Sequence, residues 1–333
     1  MRKTFLHISW FLGLFPALLW GQQDPMFTNY QFNSLTFNPA YAGSNEHLTV
    51  NLVHRQQWLG FDGAPTTQSL LAHTPLKNER LGLGVSLVND KIGPTGSFGL
   101  SGAYAYRLLV GKKKNMKLSL GLQASIANWH GDWLDIVVEQ GSDPAFESNY
   151  NAWLPNFGAG AYLSSDRFYA GLSCPKLLEN NIQRVRNGKE EFFGQSYRHW
   201  YGTAGAIFPI DGDQVVFRPS LLIKGTGLFS SFKTDSQKQH VGSPTAINLD
   251  ASFFLRQTFW LGLTFRTAVQ VGNSSNDSVD LWFAWYMRNG LRIGAAYDIT
   301  LSKLQSVGQR SFELMAGYEF DIKVKQVASP RYF

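Results

Sequence analysis

Past residue 45 the chain repeats one pattern, in which apolar and polar side chains alternate with a period of two, in runs separated by polar or Gly- and Pro-containing stretches. The last run shows it most clearly. Phe312, Leu314, Ala316, Tyr318, Phe320, Ile322 and Val324 share one parity, and Glu313, Gly317, Glu319, Asp321, Lys323 and Lys325 share the other. Residues 291–300 repeat it, with Leu291, Ile293, Ala295, Tyr297 and Ile299 opposed to Arg292, Gly294, Asp298 and Thr300. So do residues 117–126, where Leu118, Leu120, Leu122, Ala124 and Ile126 oppose Lys117, Ser119, Gly121, Gln123 and Ser125. Successive side chains of an extended chain point to opposite faces, so each run is a strand with one face suited to hydrocarbon and one to water. The pattern predicts about fourteen strands, near 46–58, 66–74, 81–90, 97–109, 116–128, 155–164, 167–174, 197–208, 214–224, 245–256, 259–269, 279–288, 291–300 and 311–325.

A soluble sandwich also alternates, and the connections separate the two. Those after the fifth, seventh and ninth strands are long and polar, at Trp129–Leu154, Pro175–Ser196 and Gly225–Pro244. Those after the sixth, tenth and twelfth shrink to turns at Ser165-Asp166, Gln257-Thr258 and Asn289-Gly290, the last being the pair that favours a type I′ hairpin. Short turns on one side and long loops on the other are the habit of outer-membrane barrels, whose short side is periplasmic. The fold expected is therefore all-β, a transmembrane antiparallel barrel of about fourteen strands over residues 46–333, multi-pass in the outer membrane and in contact with its lipid. Rings near strand ends, at Tyr197, Trp200 and Tyr201, at Phe259 and Trp260, and at Trp282, Trp285 and Tyr286, read as a girdle at the headgroups.

Composition narrows the class further. Charged residues are 16% of the 333, against roughly 25% in soluble domains, and aromatics reach 14%, which excludes disorder. After the first twenty residues no apolar run approaches the ~18 needed for a membrane-spanning helix. Residues 1–21, with Arg2 and Lys3, an apolar stretch from Phe5 to Trp20 and then Gly21, have the form of a secretory signal peptide. The lone Cys174 rules out an intramolecular disulfide and reads as a small apolar strand residue. Without the two leader cations the chain carries 28 Lys+Arg against 24 Asp+Glu, too slight an excess to suggest a nucleic-acid partner.

Little in the sequence carries chemistry. No His pair has zinc spacing and no Gly-rich loop opens a helix to hold phosphate, so no cofactor or metal is expected. His130, Asp132 and Asp135 are the one group to weigh as acid and base, and their spacing fits no such pattern; solvated loop residues are the simpler reading. The segment before the first strand stands apart. It lacks alternation yet holds Phe27, Tyr30, Phe32, Phe37 and Tyr41, rings that seek burial, while Asn38-Pro39 and Gly43 set turns. Residues 22–45 are therefore expected to form a plug or cap in the periplasmic mouth. The first loop, from Arg55 through Gln57, Trp58, Phe61 and Asp62 to Pro65, is equally ring- and glycine-rich. It has the composition either of a protein-binding hot spot or of an inward-folded constriction. Asn38, Pro39, Tyr41, Gly43, Arg55, Gln57, Trp58, Phe61 and Asp62 are the candidate partner-binding or plug residues.

At these residues the chain resembles the PorP/SprF family, outer-membrane proteins of the type IX secretion and gliding machinery of Bacteroidota. The resemblance rests on Asp24-Pro25 with Phe27-Thr28 and Tyr30, on Asn38-Pro39-Ala40-Tyr41-Ala42-Gly43, and on Arg55-Gln56-Gln57-Trp58 leading into Gly60-Phe61-Asp62-Gly63-Ala64-Pro65. Looser matches follow at Arg218-Pro219-Ser220, Tyr297-Asp298, Phe312-Glu313-Leu314-Met315 and Gly317-Tyr318-Glu319-Phe320, with a departure at Ser311-Phe312, where the family often has a His before the Glu. What the resemblance implies is a non-enzymatic barrel. Its partner would be a periplasmic ring component of the secretion system or the C-terminal domain of a secreted adhesin, held at the cell surface. The alternative is a channel for small solutes.

Overall fold

A computed structural model of the chain describes residues 25–45, 47–76, 80–111, 115–135, 149–186, 189–212, 214–226, 245–270, 273–301 and 310–320. The expected leader and the loop over 227–244 lie outside these residues. The strands are β1 (Leu48–Gln56), β2 (Thr66–Pro75), β3 (Leu81–Ile92), β4 (Thr95–Val110), β5 (Met116–Gly131), β6 (Tyr150–Ser164) and β7 (Phe168–Cys174). A separate hairpin of β8 (Asn180–Arg186) and β9 (Lys189–Ser196) follows, then β10 (His199–Ala206) with its continuation β11 (Phe208–Asp211). The remainder are β12 (Val215–Thr226), β13 (Thr245–Leu255), β14 (Phe259–Gln270), β15 (Asn273–Tyr286), β16 (Leu291–Thr300) and β17 (Arg310–Phe320). Each barrel strand pairs antiparallel with its neighbours, β10 bridges β7 and β12, and β1 closes on β17 from Leu48↔Phe320 to Gln56↔Phe312. The result is a closed barrel of fourteen strands, the number the alternation predicts.

Burial follows parity along the strands. In β17 Ser311, Glu313, Met315 and Gly317 are buried in the lumen while Leu314, Ala316, Tyr318 and Phe320 face outward. The outward row is a continuous apolar surface, with Leu122 65%, Leu172 58% and Phe157 57% exposed, which only lipid would cover without cost.

Three expectations need correction, each for a local physical reason. Asn289-Gly290 does not form a two-residue turn. Met287 N–H donates to Leu291 O and only Gly290 has positive φ, at 88°, so the connection is a three-residue loop of the kind that ends on a left-handed glycine. Two consecutive positive φ angles, the mark of a type I′ turn, lie instead at Arg256 (51°) and Gln257 (52°), one residue earlier than the sequence suggests, closed by Thr258 N–H donating to Leu255 O inside a three-residue connection between Leu255 and Phe259. Neither residue favours that region. Replacing both, as Arg256→Asn with Gln257→Gly, is expected to stabilise the barrel by about 1 kcal/mol. Urea midpoints of the refolded barrel would show this, and an unchanged or lower midpoint would contradict the strain.

The second correction concerns the girdle. Adjacent residues of a strand face opposite ways, so neighbouring rings cannot both sit at the headgroups. Phe259 and Trp285 do face outward, at 42% and 39% exposed, but Trp260 and Trp282 are turned into the lumen at 6% and 4%, as is Tyr201 at 6%. The third concerns the long loops. Strand β5 runs on to Gly131 and β6 starts at Tyr150, where Trp129, Trp133 and Tyr150 pack with ring centroids 5.4–6.2 Å apart. The Pro175–Ser196 stretch contains the β8–β9 hairpin, whose Ile182 is buried against that ring cluster.

Candidate functional site

The segment before β1 occupies the lumen. It consists of a 3-10 turn, Tyr30–Asn33, one turn of α-helix, α1 (Ser34–Phe37), and a second 3-10 turn, Pro39–Tyr41. Phe27, Tyr30, Phe32, Leu35, Phe37, Ala40 and Ala42 are all buried there. Each large apolar side chain so covered contributes about 1.5–3 kcal/mol relative to exposure. Phe32 meets Trp260 edge-on at 5.6 Å and Phe37 stacks on Tyr201 at 5.5 Å. The inward rings displaced from the girdle are thus the seat of this plug.

The plug begins near the loop end of the barrel and leaves at the turn end. At the loop end, Thr28 and Asn29 donate their backbone N–H groups to the two oxygens of Glu313, at 2.8 and 3.0 Å, and Thr28 Oγ1 donates to Asp298 Oδ1 at 2.7 Å. Arg55 joins the same acids, with Nη2 2.5 Å from Asp298 Oδ2 and Nη1 3.4 Å from Glu313 Oε2, and Nη1 also donates to Thr28 Oγ1. Arg266 extends the cluster to Asp280 at 2.9 Å. Arg55 and Glu313 are each 1% exposed, so their charges depend on one another and on the plug rather than on water. Mid-lumen, Tyr30 OH lies 2.7 Å from Ser220 Oγ, Gln31 donates to Asp250, and Asn51 donates to Phe32 O at 2.9 Å.

Lower down, the wall makes room. A Cβ on Gly121 would overlap the backbone of Pro39 and Ala40, one on Gly82 the carbonyl of Ala42, and one on Gly160 the amide of Asn38. Asn38 Oδ1 accepts from Ala40 N–H at 3.0 Å, capping the second 3-10 turn, while its Nδ2 donates to Ala161 O at 3.2 Å. Arg107 donates to the carbonyls of Ala42 and Gly43, and Gly43 has φ +66° where the chain turns toward β1. Asn38→Ala removes a cap and a wall contact together. It is expected to cost about 1–2 kcal/mol and to speed exchange of the Ala40 amide, read by mass-resolved hydrogen exchange.

The candidate residues therefore divide. Asn38, Pro39, Tyr41, Gly43 and Arg55 converge in the lumen, with Tyr41 set edge-on to Tyr162 at 5.5 Å. Gln57, Trp58, Phe61 and Asp62 lie on the connection between β1 and β2, where Phe61 is 55% exposed and Trp58 N–H donates to Ser311 Oγ at 3.3 Å. Asp298, Glu313, Asp250, Arg107 and the seat glycines complete the site. Their sequence signal was single charges and glycines at water-face parity. His130 packs over Gly96, and Trp133 and Tyr150 beside it serve the ring cluster.

A family model described as type IX secretion system membrane protein PorP/SprF matches residues 20–318. The chain belongs to the PorP/SprF family. It is accordingly a multi-pass outer-membrane barrel of the type IX secretion system. Among curated proteins none matches. Solved barrels share the architecture at low identity. The CymD monoaromatic hydrocarbon channel is 10% identical, with 86% of this chain and 92% of that one covered at a TM-score of 0.51. A Pseudomonas aeruginosa FadL homologue is 14% identical over 86% and 94% of the two chains at 0.49. The Acinetobacter baumannii outer-membrane protein Omp33 is 11% identical over 83% and 98% at 0.45. At these identities the likeness is one of fold.

Proposed function

We propose that this family member is a plugged, non-enzymatic barrel that docks a protein partner, either a periplasmic component of the secretion machinery or the C-terminal domain of a secreted adhesin held at the cell surface. The observation that carries the reading is the plug. Its hydrogen bonds to Glu313, Asp298, Ser220 and Asn51 and its buried rings occupy the path a solute would take. A passive channel gains nothing from such a network, whereas a docking protein needs a rigid, closed frame to present its loops.

Affinity purification of the full chain in mild detergent tests it, with co-recovery of an adhesin or ring component expected. Recovery of the barrel alone under several mild conditions would count against docking. Single-channel recording addresses the small-solute alternative, since the plugged barrel should show no stable conductance steps and a steady open level would favour the channel.

A further inference from the structure

The wall of the barrel is interrupted beside β6. That strand pairs with β5 along its whole length, from Gly131↔Tyr150 to Lys117↔Ser164, but with β7 only from Ala159↔Cys174 to Ser164↔Tyr169. Beyond Cys174 the chain leaves the wall for the lumen. Pro175 O accepts from Gln123 Nε2 at 3.0 Å, and the Pro175 backbone lies where a Cβ on Gly158 would be. The β8–β9 hairpin stays on that inner side, with Ile182 buried against Trp129, Ala152 and Leu154. The loop-side half of β6 is therefore the edge of a sheet.

Hydrogen-bond direction shows which groups this edge offers. Leu177 N–H donates to Phe157 O at 2.8 Å and Asn180 Nδ2 to Pro155 O at 3.1 Å, so the odd residues of β6 turn their main-chain groups away from β5. Pro155, with no N–H to leave unpaired, sits where edge strands tolerate proline. Next in that row come Trp153 and Asn151, whose main-chain N–H and C=O have no hydrogen-bond partner on the edge side among the described residues. Neither carries the charge that commonly guards an edge, and Trp153 and Phe157 stand outward at 59% and 57% exposed. Resting on the docking reading above, we propose that β6 receives a strand of the secreted partner, which pairs with Asn151 and Trp153 and continues the line of β7. Below the break β7 alone separates β6 from β10, so the vacated place is one strand wide. It opens at the loop end, the cell-surface side of such a barrel. An uncharged extended segment with an apolar side chain at every second position fits it, because main-chain groups supply the affinity and the apolar row lies beside Trp153 and Phe157.

Trp153→Pro tests the main chain itself. It removes the edge N–H while sparing the bonds to β5, as Pro155 already does two residues on, whereas Trp153→Val removes the ring and keeps the N–H. When the full-length barrel is purified in mild detergent, Trp153→Pro should recover about tenfold less partner than wild type, and Trp153→Val close to the wild-type amount. Equal recovery by Trp153→Pro and wild type, or equal loss from both variants, overturns strand pairing and leaves docking intact. Should Trp153→Pro fail to fold, Asn151→Pro takes its place. A second measurement needs no partner. The peptide Lys-Thr-Val-Thr-Val-Thr-Lys, at saturation, should slow hydrogen exchange of the Trp153 amide in the wild-type barrel by about tenfold, and the same peptide with proline at its central position should not. Unchanged exchange, or equal slowing by both peptides, overturns the edge site. A wild-type dimer that Trp153→Pro converts to monomer assigns the edge to a second copy and overturns the proposal as well. A wild type that recovers no partner overturns docking, and the peptides still judge the edge by themselves.

Discussion

Gly121→Val is expected to turn a closed barrel into a conducting one. Gly121 sits on the lumen face of β5, and the atoms its Cβ would strike are the backbone of Pro39 and Ala40. Backbone cannot rotate out of the way as a long side chain can. The wall is equally fixed, because β5 is paired along its whole length to β4 and β6. Overpacking of this kind costs about 1–3 kcal/mol even when neighbours can relax, so the least costly response is for the turn Pro39–Tyr41 to leave its seat. The strand itself should tolerate the change, since valine suits a pleated wall better than glycine does. Planar-bilayer recording should show steady conductance steps for Gly121→Val and at most brief openings for Gly121→Ala. Silence from Gly121→Val, with plug residues still protected from protease, would mean that the glycine seat does not hold the plug.

The second large effect belongs to the loop end of the plug. Glu313→Ala removes the acceptor of two plug amides and one of the two acids facing Arg55. Breaking a buried ion pair by deleting one partner costs about 3–5 kcal/mol. Part of that loss should appear locally, because the Glu313 carboxylate is the acceptor described for the backbone N–H groups of both Thr28 and Asn29. Exchange of those two amides should accelerate by about two orders of magnitude or more, each tenfold corresponding to ~1.4 kcal/mol. Glu313→Gln keeps one carbonyl acceptor and should fall between the two. A Glu313→Ala barrel whose urea midpoint and amide protection match wild type would show that the cluster is not what holds the plug.

The two substitutions act on different halves of the plug, so their effects separate. Loss at Gly121 should open the turn side while Thr28 and Asn29 remain bound to Glu313. Loss at Glu313 should loosen the Thr28 and Asn29 backbone, with Thr28 Oγ1 still held by Asp298, while Asn38 still caps its turn against Ala161.

Most of the wall was legible in the sequence because strand parity is a local property. Which of Phe312 and Glu313 meets lipid follows from the side chains themselves, and the number of strands and the short-turn side follow from the same runs. Turn geometry was less legible. Asn-Gly at 289–290 carries the strongest hairpin preference in the chain, yet the I′ conformation is found at Arg256-Gln257, within the three-residue connection that pairing of Leu255 with Phe259 leaves. Strand register, a long-range outcome, overrode residue preference there.

The alternation placed Asp298, Glu313 and Gly121 on the water face, and by itself it determined no more than that. Whether those positions are wet depends on barrel closure, which brings β1 against β17 and sets Arg55 opposite Glu313. It depends also on the plug entering the lumen and excluding water from them. Both are contacts between distant parts of the chain, so only the tertiary structure decided that a polar face became a buried, charged and glycine-lined seat.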